Sequence, residues 1–364
     1  MWPWPSSRCR PAATAAPVAA EAGAPHKPPV HGLLDLVTVI YGGEIPLLRL
    51  EARSIARFLD PEGVGSILVV VNDRDEDACV AKVRAMLPDY GPFADRVEIL
   101  RPDDLFALRP ARFRARGPWA WARAAFTANR ERYPFGVKGG WRGNRGWSVQ
   151  QALKLAVARH GSGSHLLILD AKNHFVRPVS RATFVAPDGR ALARLARPNA
   201  KHARWNAVSF RMLGVTPPDP GEPSPPTVTP FVIRRSDLLA SLEAVEARVG
   251  PVESFFARKR SEESEFALIH AAVAGSPGGV AGAFAPGLQH AATIRPKHDD
   301  ALVDELLSLV EAGEMDVLSV HKRRLGKFNA EQNARLQAIW TAAGLDASEL
   351  LAASEGRGSE AKAG

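Results

Sequence analysis

From residue 35 onward the chain alternates short apolar runs with amphipathic stretches. Asp35–Tyr41 and Ser66–Asn72 are β-branched apolar runs, ended by Gly42-Gly43 and by the acidic loop Asn72–Asp77, and both read as buried strands. Between them Ile45, Leu48, Ile55 and Phe58 recur at helical spacing, with Arg49, Arg53 and Arg57 on the other face. Asp60-Pro61-Glu62-Gly63 ends that helix. A helix over 76–87 leads to a shorter strand at 96–100. After an irregular stretch, Ser148 begins a helix with Val149, Leu153, Ala156 and Val157 on one face, and Gly161 ends it. His165–Asp170 is the most apolar strand of the chain and stops abruptly at Asp170-Ala171-Lys172-Asn173. Strands alternating with helices predict parallel pairing through right-handed crossovers.

The second half is less regular. Trp205–Phe210 and Thr229–Ile233 read as strands, separated by the proline-rich loop Thr216–Pro230. Ser236 is placed to cap a helix to about Arg248, and Ser261 another to about Ala274. A helix over 299–312, a strand at Asp316–Val320 and a helix over Asn329–Ala343 complete the pattern. The predicted organisation is a tail over 1–31, one domain over 32–345 and a polar tail over 346–364, with both tails disordered. Pro11, Pro17, Glu21 and Pro25 interrupt the apolar part of the first tail, which argues against a secretion signal.

Composition narrows the class. The 364 residues suit one large domain, and two cysteines, Cys9 and Cys79, predict no structural disulfide. No stretch of eighteen unbroken apolar residues is present, so no transmembrane helix is expected. The expected location is the cytoplasm, with peripheral attachment to the inner membrane as an alternative. The net charge of +8 comes from one region. Residues 109–147 carry ten basic side chains against the single acid Glu131, and the rest of the chain is close to neutral. Four tryptophans (Trp119, Trp121, Trp141, Trp147) lie among those arginines, in an insertion spanning 105–147. Basic residues interleaved with aromatics can bind single-stranded nucleic acid, or stack on sugar rings and contact phosphates. The Gly139–Gly146 run fits a lid that closes on a ligand.

Parallel sheets bind ligands at the carboxyl ends of their strands. The three ends to consider are Tyr41-Gly42-Gly43, Asn72-Asp73 and Asp170–Asn173. The glycine pair would let a ligand approach the backbone. No GxGxxG and no GxxxxGK[ST] occurs, so dinucleotide and P-loop readings lack their main support. Asp170, at the end of the most apolar strand, is the leading candidate, because a carboxylate there can hold a cation that bridges a diphosphate. A turn-forming aspartate is the plainer reading of the same residue. Gln150 and Lys154 lie four residues apart on the preceding helix and share a face.

The order of strands, the Gln150-Gln151-Ala152-Leu153-Lys154 helix and the segment from Leu167 to Pro178 resemble a GT-A glycosyltransferase, and more narrowly an uncharacterised bacterial family of glycosyltransferase-like proteins. The resemblance spans roughly 34–345 and is most specific over 147–178. It implies an α/β, Rossmann-like, mostly parallel sheet flanked by helices with a C-terminal extension. Residues 32–180 would bind the nucleotide sugar and 181–345 the acceptor side. It also implies a nucleoside-diphosphate sugar donor, Mn or Mg, and a glycan, lipid or small-molecule acceptor. Asp170 matches the first position of the family's Asp-x-Asp motif, and Lys172 stands where the second aspartate would be. A charged lysine cannot ligate a metal, but it can offer positive charge to a diphosphate directly. Asn173 and His321 complete the expected metal set, His321 from the late strand before Lys322, Arg323 and Arg324. Asp170, Lys172 and Glu265 are the expected catalytic residues, with Tyr41, Gly42, Gly43, Asn72, Asp73, Gln150 and Lys154 on the donor side. Glu262 and Glu263 read as helix-dipole partners. Two rival readings stay open: a nucleotide-sugar-binding module that has lost catalysis through Lys172, and a basic nucleic-acid binder acting through 109–147.

Overall fold

The computed structural model describes residues 30–106, 141, 146–219, 221–258, 263–287 and 290–352. Residues 1–29 and 353–364, most of the arginine- and tryptophan-rich insertion with its glycine-rich run, and Glu262 lie outside the described residues. The start of the expected C-terminal tail is a correction: residues 348–352 are helical, Leu350 is buried, and Arg53 donates to the Asp346 carbonyl (2.8 Å).

The strands are β1 (Val30–Ile40), β2 (Val64–Val71), β3 (Val97–Leu100), β4 (Gly163–Leu169), β5 (Asn173–Phe175), β6 (Ala191–Ala193), β7 (Phe231–Arg234), β8 (Phe284–Pro286), β9 (Ala291–Ile294) and β10 (Val317–Val320). The longer helices are α1 (Ile45–Phe58), α2 (Glu76–Ala85), α3 (Gly146–Ala156), α4 (Ala200–Leu213), α5 (Arg235–Val249), α6 (Val252–Arg258), α7 (Glu265–Ala274), α8 (Asp300–Glu311) and α9 (Ala330–Ala342). The central sheet has five strands in the order β3-β2-β1-β4-β7, with β7 alone antiparallel to its neighbour. The mostly parallel α/β sheet expected from the sequence is therefore present.

Burial explains the pattern. Leu36 and Val37 of β1, Val69–Val71 of β2 and Leu166–Leu169 of β4 are fully enclosed. A strand covered on both faces must be apolar at every position, which is why these runs lack alternation. Each such side chain stabilises the fold by about 1.5–3 kcal/mol on burial.

One polar group is built into the opposite end of this sheet. Asp35, completely buried in β1, accepts N–H groups from Ser66 (2.8 Å), Ser162 (2.7 Å) and Gly163 (2.6 Å). Burial raises its pKa above the ordinary carboxylate value while these amides, with Arg235 nearby, pull it down. Gly163 is required at this latch, since a Cβ there would lie 2.9 Å from both the Asp35 carboxylate and the Leu33 carbonyl oxygen. Asp35→Ala would strand three amides in a dry setting. It should cost about 2–4 kcal/mol, read as a lower urea midpoint with unchanged slope.

The segment 205–210 is a correction. It lies inside helix α4, not in a strand. Trp205, Val208 and Phe210 favour strands, but Asn199 caps the helix by accepting from the His202 amide (3.0 Å). Gly214 closes it in the left-handed region (φ 72°). Helix α7 is capped by Ser264, three residues beyond the expected Ser261.

A second sheet, β5-β10-β9, begins directly after the Asp170 turn. Strand β5 runs antiparallel to β10, with Asn173 opposite Ser319, and β10 runs parallel to β9. This register carries the end of β10, and with it His321, to the tips of β1 and β4. No helix among the described residues is long and apolar enough to cross a membrane.

Candidate functional site

Where β4 ends, the chain turns sharply. The Asp170 amide donates to Asn173 Oδ1 (2.7 Å), and the Asn173 amide donates to the Asp170 carbonyl (2.8 Å). Asn173 Nδ2 reaches across to Ser319 Oγ (2.6 Å). Asn173 is fully buried, so it fastens the turn to β10 rather than facing a ligand.

The turn leaves the Asp170 carboxylate among donors. Lys154 Nζ lies 2.8 Å from Oδ1, Gln150 Nε2 3.3 Å from Oδ1, and Thr229 Oγ1 2.7 Å from Oδ2. Lys172 Nζ also pairs with Oδ2. Burial alone would raise the Asp170 pKa, but the two ammoniums hold it far below the ordinary carboxylate range. Lys154 is enclosed and would lose its proton more readily through burial. Asp170 and Glu265, the latter 3.6 Å away, reverse that and raise its pKa. The Lys154 ammonium also lies 5.3 Å from the Phe266 ring centroid.

These groups line a cavity of about 410 Å³. Its walls bring together Gln150, Lys154, Asp170, Lys172, Glu265 and His321, all expected from the sequence. Four lysines and an arginine (Lys154, Lys172, Lys201, Lys322, Arg295) face three acids (Glu44, Asp170, Glu265), so the cavity is net positive. One side is aromatic. Trp147 and Trp205 have ring centroids 6.3 Å apart, His202 stacks on Trp205 at 5.3 Å, and the Lys201 ammonium lies 4.4 Å from the Trp205 ring. The arrangement suits an anion joined to a flat or ring-shaped group.

The other expected donor-side residues take different positions. Gly42 donates to Asp73 Oδ2 (2.6 Å), and Gly43 packs beneath the Tyr41 ring, where an added Cβ would lie 2.6 Å from the ring. Asn72 is buried, donating to the Gly146 carbonyl (2.7 Å) and accepting from the Trp141 amide (3.1 Å). None of these five residues lines the cavity. Tyr41 touches it indirectly, because the Lys322 ammonium lies 4.2 Å from its ring centroid.

Glu44, His202, Trp205, Thr229 and Arg295 also line the cavity and were not singled out as site residues by the sequence, whereas Lys322, which lines it too, belongs to the basic cluster read beside His321. Burial, then the charge of Asp170, raises the Glu44 pKa to about 7, against Lys172 and Lys154. A folded-state pKa above the free value means the proton favours folding. That contribution is complete below the free carboxyl value and is lost as pH rises through about 7. Ionised Glu44 adds a negative charge to the cavity. Affinity for inorganic pyrophosphate should therefore fall by about two- to fivefold across this range, and Glu44→Gln should flatten the difference relative to wild type. Calorimetry at several pH values checks this. Glu51, buried behind Glu44, is pushed well above its ordinary pKa by burial, although Thr38 Oγ1 donates to it (3.0 Å).

The donor set does not fit Mn or Mg. Asp170 is taken up by two ammoniums, an amide and a hydroxyl, and the Asn173 amide is used on both sides. His321 Nδ1 accepts the Arg323 amide (3.1 Å). Burial, Lys172 and Arg323 lower the His321 pKa. Any cation drawn to Asp170 would have to displace Lys154 and Lys172. Among the described residues no group of three or more His, Cys, Asp or Glu side chains converges on a common point.

Fold and site together define an α/β protein with a cationic, aromatic-walled cavity at the carboxyl ends of β1 and β4. The chain belongs to DUF6492, a family of unknown function whose profile matches residues 34–274. No curated protein matches the chain. Among solved structures it is similar to the galactosyltransferase LgtC in complex with donor and acceptor sugar analogues. There the identity is 11% over 85% of this chain and 95% of that one, with a TM-score of 0.43. It is also similar to mouse xyloside xylosyltransferase 1, at 12% identity over 80% and 98% of the two chains, with a TM-score of 0.37. A third similar structure is the bifunctional glycosyltransferase WbbM, at 8% identity over 79% and 45%, with a TM-score of 0.42.

Proposed function

We propose that the protein is a glycosyltransferase that takes a sugar from a nucleoside-diphosphate sugar and passes it to an acceptor hydroxyl. The observation that carries this reading is that Asp170, Lys172, Lys322 and Arg295 line one cavity together with Trp147 and Trp205. Cations at the strand tips suit a diphosphate, and the tryptophans suit a base or sugar ring. The resemblance of segment 147–178 to GT-A enzymes points the same way.

The chain's own residues would supply what a metal supplies elsewhere. Asp170 holds Lys154 and Lys172 in fixed positions, so positive charge is in place before the leaving group departs. As the bond from the anomeric carbon to the diphosphate oxygen breaks, its electron pair leaves with the diphosphate toward Lys172. The acceptor oxygen bonds to the anomeric carbon. If configuration inverts, the acceptor proton passes to Glu265, whose carboxylate lies 3.6 Å from the Lys154 ammonium.

The occupation of Asp170 by two lysines favours a second reading, a nucleotide-sugar-binding module without turnover. A panel of nucleoside-diphosphate sugars, assayed for both binding and release of nucleoside diphosphate, separates the two. Slow hydrolysis or transfer of one sugar supports the enzyme. Binding without any release supports the module, and absence of binding across the panel removes both.

A further inference from the structure

A second cavity, of about 360 Å³, abuts the first. The two share a wall made of His202, Thr227, Val228, Thr229, Thr293 and Arg295. Beyond that wall the second cavity is bounded by Arg194, Arg197, Asn199 and Ser224. Among the described residues its lining holds three arginines and no aspartate or glutamate. Among the described residues, none of the three guanidinium groups is paired with a carboxylate. Arg194 and Arg197 follow β6 on the segment leading to α4, and the Ala196–Ser224 backbone bridge fixes that segment against the proline-rich loop (3.0 and 3.1 Å). Arg295 follows directly after β9.

An unpaired guanidinium presents a planar fork of N–H donors that matches a phosphate oxygen pair. Three of them around one cavity, with no acid among its described lining residues, leave an anion hole. We propose that this second cavity binds the phosphate group of the acceptor. The substrate class is therefore a phosphorylated acceptor, either a soluble sugar phosphate or a lipid headgroup. The identity of the ligand as an acceptor rests on the glycosyl-transfer reading; the anion site itself does not.

The shared wall explains why the two sites would work together. His202 stands in both cavities, and Thr227 Oγ1 lies 2.7 Å from its Nδ1. Burial, then Arg295 and Lys201, lower its pKa, so the ring is neutral near pH 7. A neutral imidazole between two anion sites adds no charge that would draw the acceptor phosphate into the donor cavity. An acceptor held by Arg194 and Arg197 would present its hydroxyl across the Thr227–Thr229 wall toward Asp170 and Lys172.

The test uses the full chain and three probes: glucose 6-phosphate, glucose, and uridine diphosphate for the first cavity. Wild type should bind glucose 6-phosphate and not glucose. Arg194→Gln/Arg197→Gln, both exposed positions that should fold normally, should weaken glucose 6-phosphate by about tenfold or more and leave uridine diphosphate within about twofold. Lys172→Ala should do the reverse. Co-sedimentation with vesicles containing phosphatidylglycerol distinguishes the source of the phosphate. Arginine-dependent vesicle binding assigns it to a lipid, and arginine-dependent glucose 6-phosphate binding alone assigns it to a soluble ester. The proposal is overturned if neither probe binds, or if binding persists unchanged in the arginine variant. It is also overturned if Lys172→Ala removes the glucose 6-phosphate site. Loss of uridine diphosphate binding in wild type, with arginine-dependent phosphate binding retained, would defeat the donor reading and leave the anion site standing.

Discussion

Asp170→Ala should destabilise the fold by about 3–5 kcal/mol, because it leaves a buried ammonium without its strongest partner. The Lys154 side chain is only 5% exposed and has two carboxylates within reach, of which Asp170 is the nearer at 2.8 Å and Glu265 the farther at 3.6 Å. With Asp170 gone, Glu265 alone must hold the charge, and Thr229 and Gln150 lose their acceptor. Urea unfolding should show a lower midpoint. The double variant Asp170→Ala/Lys154→Met should be less damaged than the sum of the two single changes, by about 0.5–3 kcal/mol. Additive losses would mean that the pair is not coupled. The pH dependence has a definite sign. Asp170 has a depressed pKa, so its contribution is complete above the ordinary carboxylate value and is lost as pH falls below it. The variant should therefore lose part of the acid limb of the wild-type stability curve.

Lys172→Ala should have a different signature. Its side chain is 21% exposed and can be truncated without stranding a buried charge, since Lys154 still pairs with Asp170. Stability should change by less than about 1 kcal/mol. Affinity for a nucleoside diphosphate should fall by about tenfold or more, since a charge-assisted contact is lost. Lys172→Arg should recover part of it by keeping the charge. Added Mn²⁺ should not rescue the alanine variant, because Lys154 still occupies the Asp170 carboxylate. Rescue by metal would mean that the carboxylate is open to a cation and that the lysine is a substitute only in this chain's resting form.

The parts of the fold that were legible were those where one force dominates. β1, β2 and β4 are buried on both faces, and their apolar runs are unmistakable for that reason. The three-residue strands β5, β6 and β8 carry no period to read, and they form because distant partners supply the ladder. Segment 205–210 carries strand-favouring side chains inside a helical frame, and the frame decides. Asn199 and Gly214, a capping residue and a left-handed terminator, were both visible in the sequence.

The candidate site divides in a similar way. Gln150, Lys154, Asp170, Lys172, Glu265 and His321 share one cavity: Asp170 is marked by its strand end, Gln150 and Lys154 by a shared helix face, and Glu265 and His321 by the family resemblance. Asn173 could not be read as an internal fastening, since its partner Ser319 lies 146 residues away in sequence. Tyr41, Gly42, Gly43, Asn72 and Asp73 lie outside the cavity lining, and the bonds Gly42–Asp73, Asn72–Gly146 and Trp141–Asn72 join segments 31 to 74 residues apart in sequence. Glu44 follows the glycine pair directly, so its position was visible, but its raised pKa depends on burial beside Asp170. His202 and Trp205 reach the cavity only because 200–213 is a helix, which the strand-favouring side chains of 205–210 do not announce.

The central claim is that fixed lysine charge, organised by Asp170, receives a diphosphate without a metal. Calorimetric titration of the full chain with a panel of nucleoside-diphosphate sugars, in EDTA and again in excess Mn²⁺, tests it most directly. The account predicts that one member binds in EDTA with an affinity that Mn²⁺ leaves unchanged within about twofold. Binding that appears only with Mn²⁺, or no binding by any member in either condition, would contradict it.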